Sequence, residues 1–310
     1  MLDLRRLRLL RELAARGTIG AVAQALDYSP SAVSQQLAQL EREAGVPLLE
    51  RAGRNVRLTA AGQLLVGHAE ALLERVEAAE ADLEATTEQL TGTIRVATFQ
   101  SAGLYLLAPA LARLAREHPA LVVEVSDAEP EATLPSLALG ALDLVLGDEY
   151  PFLPRPPDAR LDIEPLLREP FRLMLPHAHP LAVTSGPVPL AALREQPWAV
   201  GKADSHWGEM TIRACRALGR FEPIVRHRSN DLLMLLALVA HGQAVALLPD
   251  LVRAERETNV AVRELAETAL TRTVFSAIRV GSARRPALIA LRAALHAAAL
   301  DAGTARRRDP

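Results

Sequence analysis

A chain of 310 residues, 50% hydrophobic and 23% charged, is too long for one ordinary core and too apolar for disorder, so two or three globular domains are expected. Its single cysteine, Cys215, excludes an intramolecular disulfide and a cysteine-based zinc cluster. The net charge of -2 hides an uneven distribution: residues 1–60 carry nine Arg against six acids (+3), whereas residues 61–90 carry one Arg against seven acids (-6). A basic head on an acidic stalk suits a nucleic-acid end held away from a body that phosphate does not attract. Charges at Asp3, Arg5 and Arg6 break the apolar stretch a secretory signal needs, and no apolar run reaches the roughly 18 residues of a membrane span, so a cytoplasmic protein with no membrane partner is expected.

Leu4, Leu7, Leu10 and Leu13 recur at helical spacing, with Gly17 placed to end the helix. Thr18 caps a second short helix to about Leu26, and Asp27-Tyr28 make a turn. Ser29-Pro30 puts a capping hydroxyl before a proline at the first helical position. The helix that follows, to about Glu43, buries Val33, Leu37, Leu40 and Ala44 on one face. Its other face carries Ser31, Ser34, Gln35, Gln39 and Arg42, and glutamine amides can bond base edges in the major groove. Two helices joined by a tight turn, the second polar on its open face, predict a helix-turn-helix with Pro30, Ser31, Ser34, Gln35 and Gln39 toward DNA.

Arg51, Arg54 and Arg57 then recur around Gly53 and Asn55. Alone, three spaced arginines would suit a solvated loop. Directly after a helix-turn-helix they are read as a wing reaching phosphates or the minor groove. Thr59 opens a long helix to about Leu90, where Leu65, Ala69, Leu72, Val76, Ala79, Leu83, Thr86 and Leu90 alternate steps of four and three. That heptad seam predicts pairing with a second copy through Leu65, Leu72, Val76, Ala79 and Leu83, the alternative being a helix packed on its own body.

From Gly92 the pattern becomes strands alternating with helices. Strands are expected at 93–98, 121–126, 142–146, 171–175, 198–201, 224–228, 244–248 and 272–280, with helices between the first three, near 207–218 and 231–241, and from Arg285 to about Ala302. Such alternation predicts parallel-type sheets with helices on both faces and a ligand site beyond the strand ends. Phe99, Gln100 and Ser101 close the first strand; Asp127 and Glu129 follow the second, and Asp148 and Glu149 the third. Ser205, His206 and Trp207 precede one helix, Ser229 and Asn230 another. For Ser205 and Ser229 simple helix capping competes with ligand contact, and for His206 beside Trp207 a packing role does. Acids at two strand ends favour a cationic effector, an amino acid or other amine, with Trp207 adding a cation–π contact and the helix start at Gln100 and Ser101 holding a carboxylate.

The blocks Ala21–Leu26, Ser29–Leu37, Leu40-Glu41, Gly45–Arg51 and Leu58–Gly62 resemble, in order and spacing, the LysR-type transcriptional regulators. Gly20 stands where that family often has a hydroxyl residue, and Gln35 where it often has Arg. Later landmarks at Tyr105–Leu107, Leu142–Leu144, His179–Ala182 and Val245–Pro249 extend the resemblance over nearly the whole chain. It implies an N-terminal all-α winged helix-turn-helix (1–58), a linker dimerisation helix (59–91) and a two-lobed α/β effector domain like the periplasmic solute-binding proteins (92–303). Lobe 1 is then 92–165 with 268–303, lobe 2 is 166–267, the crossovers lie near 163–168 and 264–271, and 304–310 form a disordered tail. Gln100, Ser101 and the 203–207 loop are the contacts the resemblance favours. It implies a sequence-specific transcription regulator, dimeric or tetrameric, that binds operator DNA and a small-molecule effector, with RNA polymerase a further contact. A solute-binding protein without DNA activity is the rival reading; it predicts a signal peptide and no wing. No phosphate loop, nucleophile elbow or HExxH appears, and His177 and His179, flanked by prolines, lack an evident third ligand; neither catalysis, metal nor cofactor is expected.

Overall fold

A computed structural model describes residues 1–53, 55–87, 89–151, 153–267 and 270–306. The chain divides into two compact units, Met1–Thr86 with Gly281–Arg285, and the remainder.

In the first unit each helix begins and ends where local chemistry requires. Helix α1 (Leu4–Arg16) is capped by the Asp3 carboxylate and stops at Gly17, whose φ of 78° is left-handed. Helix α2 (Ile19–Leu26) is capped by Thr18. Helix α3 (Pro30–Ala44) is capped by Ser29 and ends at Gly45. Leu7, Leu10, Val22, Val33, Leu37, Leu40 and Leu48 form the buried core among them. The Glu41 carboxylate accepts the N–H groups of Leu48 (2.8 Å) and Leu49 (3.0 Å), which starts the antiparallel ribbon β1 (Leu49–Ala52) and β2 (Asn55–Leu58).

Helix α4 (Ala60–Glu84) follows, with Thr59 as its cap. Its first turn passes so close to β1 that a Cβ on Gly62 would stand 2.2 Å from the Leu48 carbonyl oxygen. Two expectations change here. The helix ends at Glu84, so Thr86 and Leu90 lie outside it. The front of the expected seam is used internally, with Ala69 in the core of the unit and Leu65 packed against it. Leu72 (45% exposed) and Leu83 (69% exposed), with Ala79, remain open, and Val76 is half-buried.

The second unit holds a seven-stranded mixed sheet and a separate two-stranded sheet. Strand β3 (Gly92–Thr98) lies parallel to β4 (Leu121–Asp127) and β5 (Leu144–Glu149). Between β3 and β4 run α5 (Gln100–Ala102), a π-helical turn and α6 (Ala108–Glu117), and between β4 and β5 runs α7 (Pro130–Ala138). The expected parallel pattern holds for β3, β4 and β5, and the strands that follow join them antiparallel. Among the described residues no helix separates β5 from β6 (Leu161–Pro176), and β11 (Thr271–Arg279) is antiparallel to both. The crossover expected at 163–168 lies inside β6, whose first part pairs with β11 and whose second part pairs with β9 (Ala246–Pro249) and β10 (Val260–Arg263). The second expected crossover adjoins the start of β11, with 268 and 269 outside the described residues.

Strands β7 (Pro197–Val200) and β8 (Ile224–Arg228) are parallel and joined through α8 (His206–Ala214) and a π-helical turn at Cys215–Gly219. Helix α9 (Leu232–Ala240) packs beneath β9, and α10 (Pro286–Arg306) closes the chain. It runs past the expected end at Ala302 and takes in the first residues of the expected tail; 307–310 lie outside the described residues. One core gathers Ala97, Leu137, Val145, Phe275 and Ala277; another gathers Phe171, Leu173, Trp198, Met210 and Val245. Two cores joined by continuous strands give a two-lobed α/β unit with β6 common to both.

Candidate functional site

In the first unit, the Ser29 hydroxyl accepts the Ala32 N–H at 3.1 Å and lies 3.0 Å from the Ser31 hydroxyl. This fixes the start of α3 with Pro30, Ser31, Ser34 and Gln35 all exposed on one face. Gln39 is placed differently. Its carbonyl oxygen accepts Arg42 Nε (3.0 Å) and Nη2 (2.6 Å), and its amide donates to Glu43 (3.3 Å), so it braces the helix. In the ribbon, Arg51 is exposed. Arg57 is 73% exposed along its side chain and donates to Glu50 at 2.8 Å. Arg54 lies outside the described residues.

In the second unit, the strand ends frame a cleft of about 320 Å³, counting solvent at its mouth. One wall holds Phe99, Gln100, Ser101, Glu129, Asp148, Tyr150 and Arg272, and the other Trp207, Asn230, Leu232 and Pro249. Its floor is a buried ion cluster. Arg272 donates to Asp148 (3.2 Å), to Glu169 (2.8 Å) and to the Ser101 hydroxyl (2.8 Å), and the Tyr150 hydroxyl donates to Asp148 at 2.6 Å. Burial alone would lower the Arg272 pKa, yet Glu169 and Asp148 outweigh it and the guanidinium is held above its ordinary value. Burial raises Asp148, with Arg272 and the Tyr150 bond acting against it. Tyr150 is pushed up by burial and by the Asp148 charge.

Above this floor, Glu129 accepts the Asn230 amide at 2.9 Å. Burial, then the charges of Asp148 and Glu131, push its carboxyl up to about 7. Gln100 accepts the Leu232 N–H at 2.7 Å and Glu131 the His206 N–H at 2.6 Å. The first N–H groups of α9 and α8 are thus held by side chains from across the cleft. Two buried polar atoms lack a protein partner here, the Trp207 Nε1 donor and one Glu131 oxygen.

The structure therefore brings Gln100, Ser101, Glu129, Asp148 and Trp207 together, as the sequence suggested, but gives several other roles. Asp127 is exposed at the end of β4 and does not line the cleft; Glu149 is half-buried and accepts the Arg155 N–H at 3.4 Å. Two successive acidic strand ends facing one ligand is thus corrected to one acid from each. Ser205 is buried and caps α8 at Gly208 N (3.1 Å). Gly208 is needed there, since a Cβ would meet the Lys202 carbonyl oxygen at 2.2 Å. His206 faces Glu131 in a neighbouring space. The start of α5 is not an anion seat either, for Ser101 is engaged by Arg272 and α5 is three residues long. Sequence reading missed Arg272, Glu169, Tyr150 and Glu131. A signal existed for Arg272, which shares strand parity with Val274, Ser276 and Ile278, all buried.

The family model described as bacterial regulatory helix-turn-helix protein, lysR family, matches residues 4–63, and the LysR substrate binding domain matches 87–300. A probable hydrogen peroxide-inducible genes activator of Mycobacterium xenopi is 37% identical over 177 residues, 57% of this chain and 90% of that protein. One from Streptomyces viridosporus is 30% identical over 283 residues, 90% of this chain and 88% of the other. Among solved structures, a full-length OxyR variant of Pseudomonas aeruginosa superposes with a TM-score of 0.69 at 24% identity, covering 95% of each chain. CbnR in complex with its target DNA gives 0.54 at 23% identity, covering 96% of this chain and 100% of that one. These relatives are transcription regulators, which makes an enzyme unexpected, and none of the described helices is long and apolar enough to cross a membrane. The chain belongs to the LysR family of DNA-binding transcription regulators with an effector-binding domain.

Proposed function

We propose that this regulator reads operator DNA through Pro30, Ser31, Ser34 and Gln35 of α3 with Arg51, Arg54 and Arg57 of the wing. It works in the cytoplasm as a homodimer or a pair of dimers, and the cleft lined by Gln100, Glu129 and Trp207 admits its effector. RNA polymerase is the further partner through which a bound operator would act. The observation that carries the reading is the capped, exposed face of α3 in a unit that also presents a two-stranded wing. Footprinting on DNA flanking the gene should show an interrupted palindrome protected. Gln35→Ala should relax base discrimination by about 1–3 kcal/mol at the position it reads. Equal protection of scrambled duplexes by the unaltered chain would overturn it.

The dimer contact is assigned to the open stretch of α4 from Leu72 to Leu83. Because Leu72 is exposed in the single chain, Leu72→Asp should leave folding intact while placing an unpaired carboxylate in the seam, at a cost of several kcal/mol. Sedimentation should then show monomers at micromolar concentration, and an unchanged oligomer would put the interface elsewhere.

Two of the relatives are named as activators of hydrogen peroxide-inducible genes, and direct oxidation of a cysteine does not suit this chain. Its only cysteine cannot form an intrachain disulfide. Cys215 is buried, and burial pushes its thiol up to about 12, far from the thiolate that oxidation needs.

A further inference from the structure

We propose that the cleft takes a small ligand with a cationic amine at one end, seated against Glu129, and a hydrogen-bond acceptor at the other, received by the indole N–H of Trp207. This rests on the cleft being the effector site.

Three observations carry it. First, the carboxylates around the floor are unequally served. Asp148 and Glu169 share the Arg272 guanidinium, so its charge is already matched twice over. Glu129 is offered only the neutral Asn230 amide. Asp148, Glu131 and Asp127 all act on it with like charge, and burial strips its solvent. A cation is the chemistry that completes such a carboxylate, and a second anion is what it would repel. Second, Trp207 lines the cleft, and its Nε1 donor is buried without a protein acceptor. A buried indole N–H normally has a partner, and an acceptor on a ligand in the cleft would provide one. Third, several other polar groups of the cleft are engaged within the chain. Ser101 serves Arg272, Tyr150 serves Asp148, and Gln100 Oε1 caps α9. The remaining lining at Phe99, Leu232 and Pro249 is apolar, which suits a short methylene body.

The test is a thermal-shift titration of the full chain with putrescine, L-ornithine and 4-aminobutyrate, against succinate and benzoate. At least one of the three amines should raise the unfolding temperature at millimolar concentration, with an ω-amino acid preferred to the bare diamine. Glu129→Gln keeps shape and the Asn230 contact and should weaken amine binding by about tenfold or more, the worth of a charge-assisted bond. Trp207→Phe should weaken 4-aminobutyrate about fivefold, the worth of a neutral bond, and leave putrescine unaffected. Shifts from succinate or benzoate alone would overturn the cationic class. If those shifts vanished in Trp207→Phe, the cleft would still be the effector site. Absence of any amine shift, or amine shifts unchanged in both variants, would also overturn the proposal; unchanged shifts would further place binding outside the cleft.

Discussion

The start of α3 and the starts of α8 and α9 solve one problem in opposite ways. A helix leaves its first N–H groups without intrahelical partners, and something must accept them. On α3 the acceptor is Ser29, immediately before the helix. The cap is local, and the side chains that follow are left open to a partner. On α8 and α9, Ser205 and Asp231 supply local caps, yet the first N–H of each helix goes to Glu131 and Gln100, 75 and 132 residues distant in sequence. Those bonds cross the cleft. The first arrangement sets the start of the helix with residues of its own turn. The second makes the helix ends part of a closure whose stability depends on both walls, and a ligand can act on it by changing what each wall holds.

The sharpest way to break the second arrangement is at its floor. Arg272→Met removes a cationic partner shared by two buried carboxylates, Asp148 and Glu169. Breaking a buried pair from one side costs about 3–5 kcal/mol, because the remaining charge has neither water nor partner. Chemical denaturation followed by tryptophan fluorescence should show that loss, since Trp198 and Trp207 both lie in the second unit. A loss below 1 kcal/mol would mean the cluster is wetter than its burial indicates.

A second test uses pH. Glu129 has a carboxyl near 7 in the fold against 4.5 as its ordinary value. Between these values the unfolded chain is ionised while the folded chain keeps its proton, so the folded state binds more protons. This stability contribution is therefore complete below pH 4.5 and lost as pH rises to about 7, by about 3 kcal/mol in total. Glu129→Gln should remove that slope from the stability-versus-pH curve. Glu131→Gln should move the midpoint down, because the Glu131 charge is one of its causes. A wild-type curve that rises between pH 5 and 7 with the same shape in Glu129→Gln would show the carboxyl to be solvated and unshifted.

The same contrast explains what could be read from the sequence. Gly17, Thr18, Ser29-Pro30, Gly45 and Thr59 each act on residues within a turn of themselves, so the helices of the first unit were legible together with the exposed positions of α3. The seam of α4 was half legible. A period of 3.5 says that a stripe must be covered but not by what, and Leu65 and Ala69 proved to be covered by the unit's own core. In the second unit most strands were legible as apolar runs, but their direction was not. Whether a strand returns parallel or antiparallel depends on its connection, and β6 arrives without a helix and runs 16 residues. The Glu169–Arg272 pair shows the limit most clearly. The two residues face one another because β6 and β11 pair in that register, and nothing within ten residues of either encodes it.

The smallest effect belongs to the local cap, and it sharpens the comparison. Ser29→Ala removes the acceptor of the Ala32 N–H, at a cost of about 1 kcal/mol. Ser29→Gly should cost only a few tenths, because glycine leaves the N–H open to water. Hydrogen exchange should localise the change to the first turn of α3, with amides at 32–34 exchanging about fivefold faster in the alanine variant, the kinetic equivalent of that free energy. DNA affinity should fall with it, since Pro30, Ser31 and Ser34 are positioned by that turn, while thermal shifts caused by any cleft ligand should be unchanged. Faster exchange spreading through all of α3 would instead mean that the cap nucleates the whole helix, and that the surface facing DNA depends on one hydroxyl more than its exposed, local geometry implies.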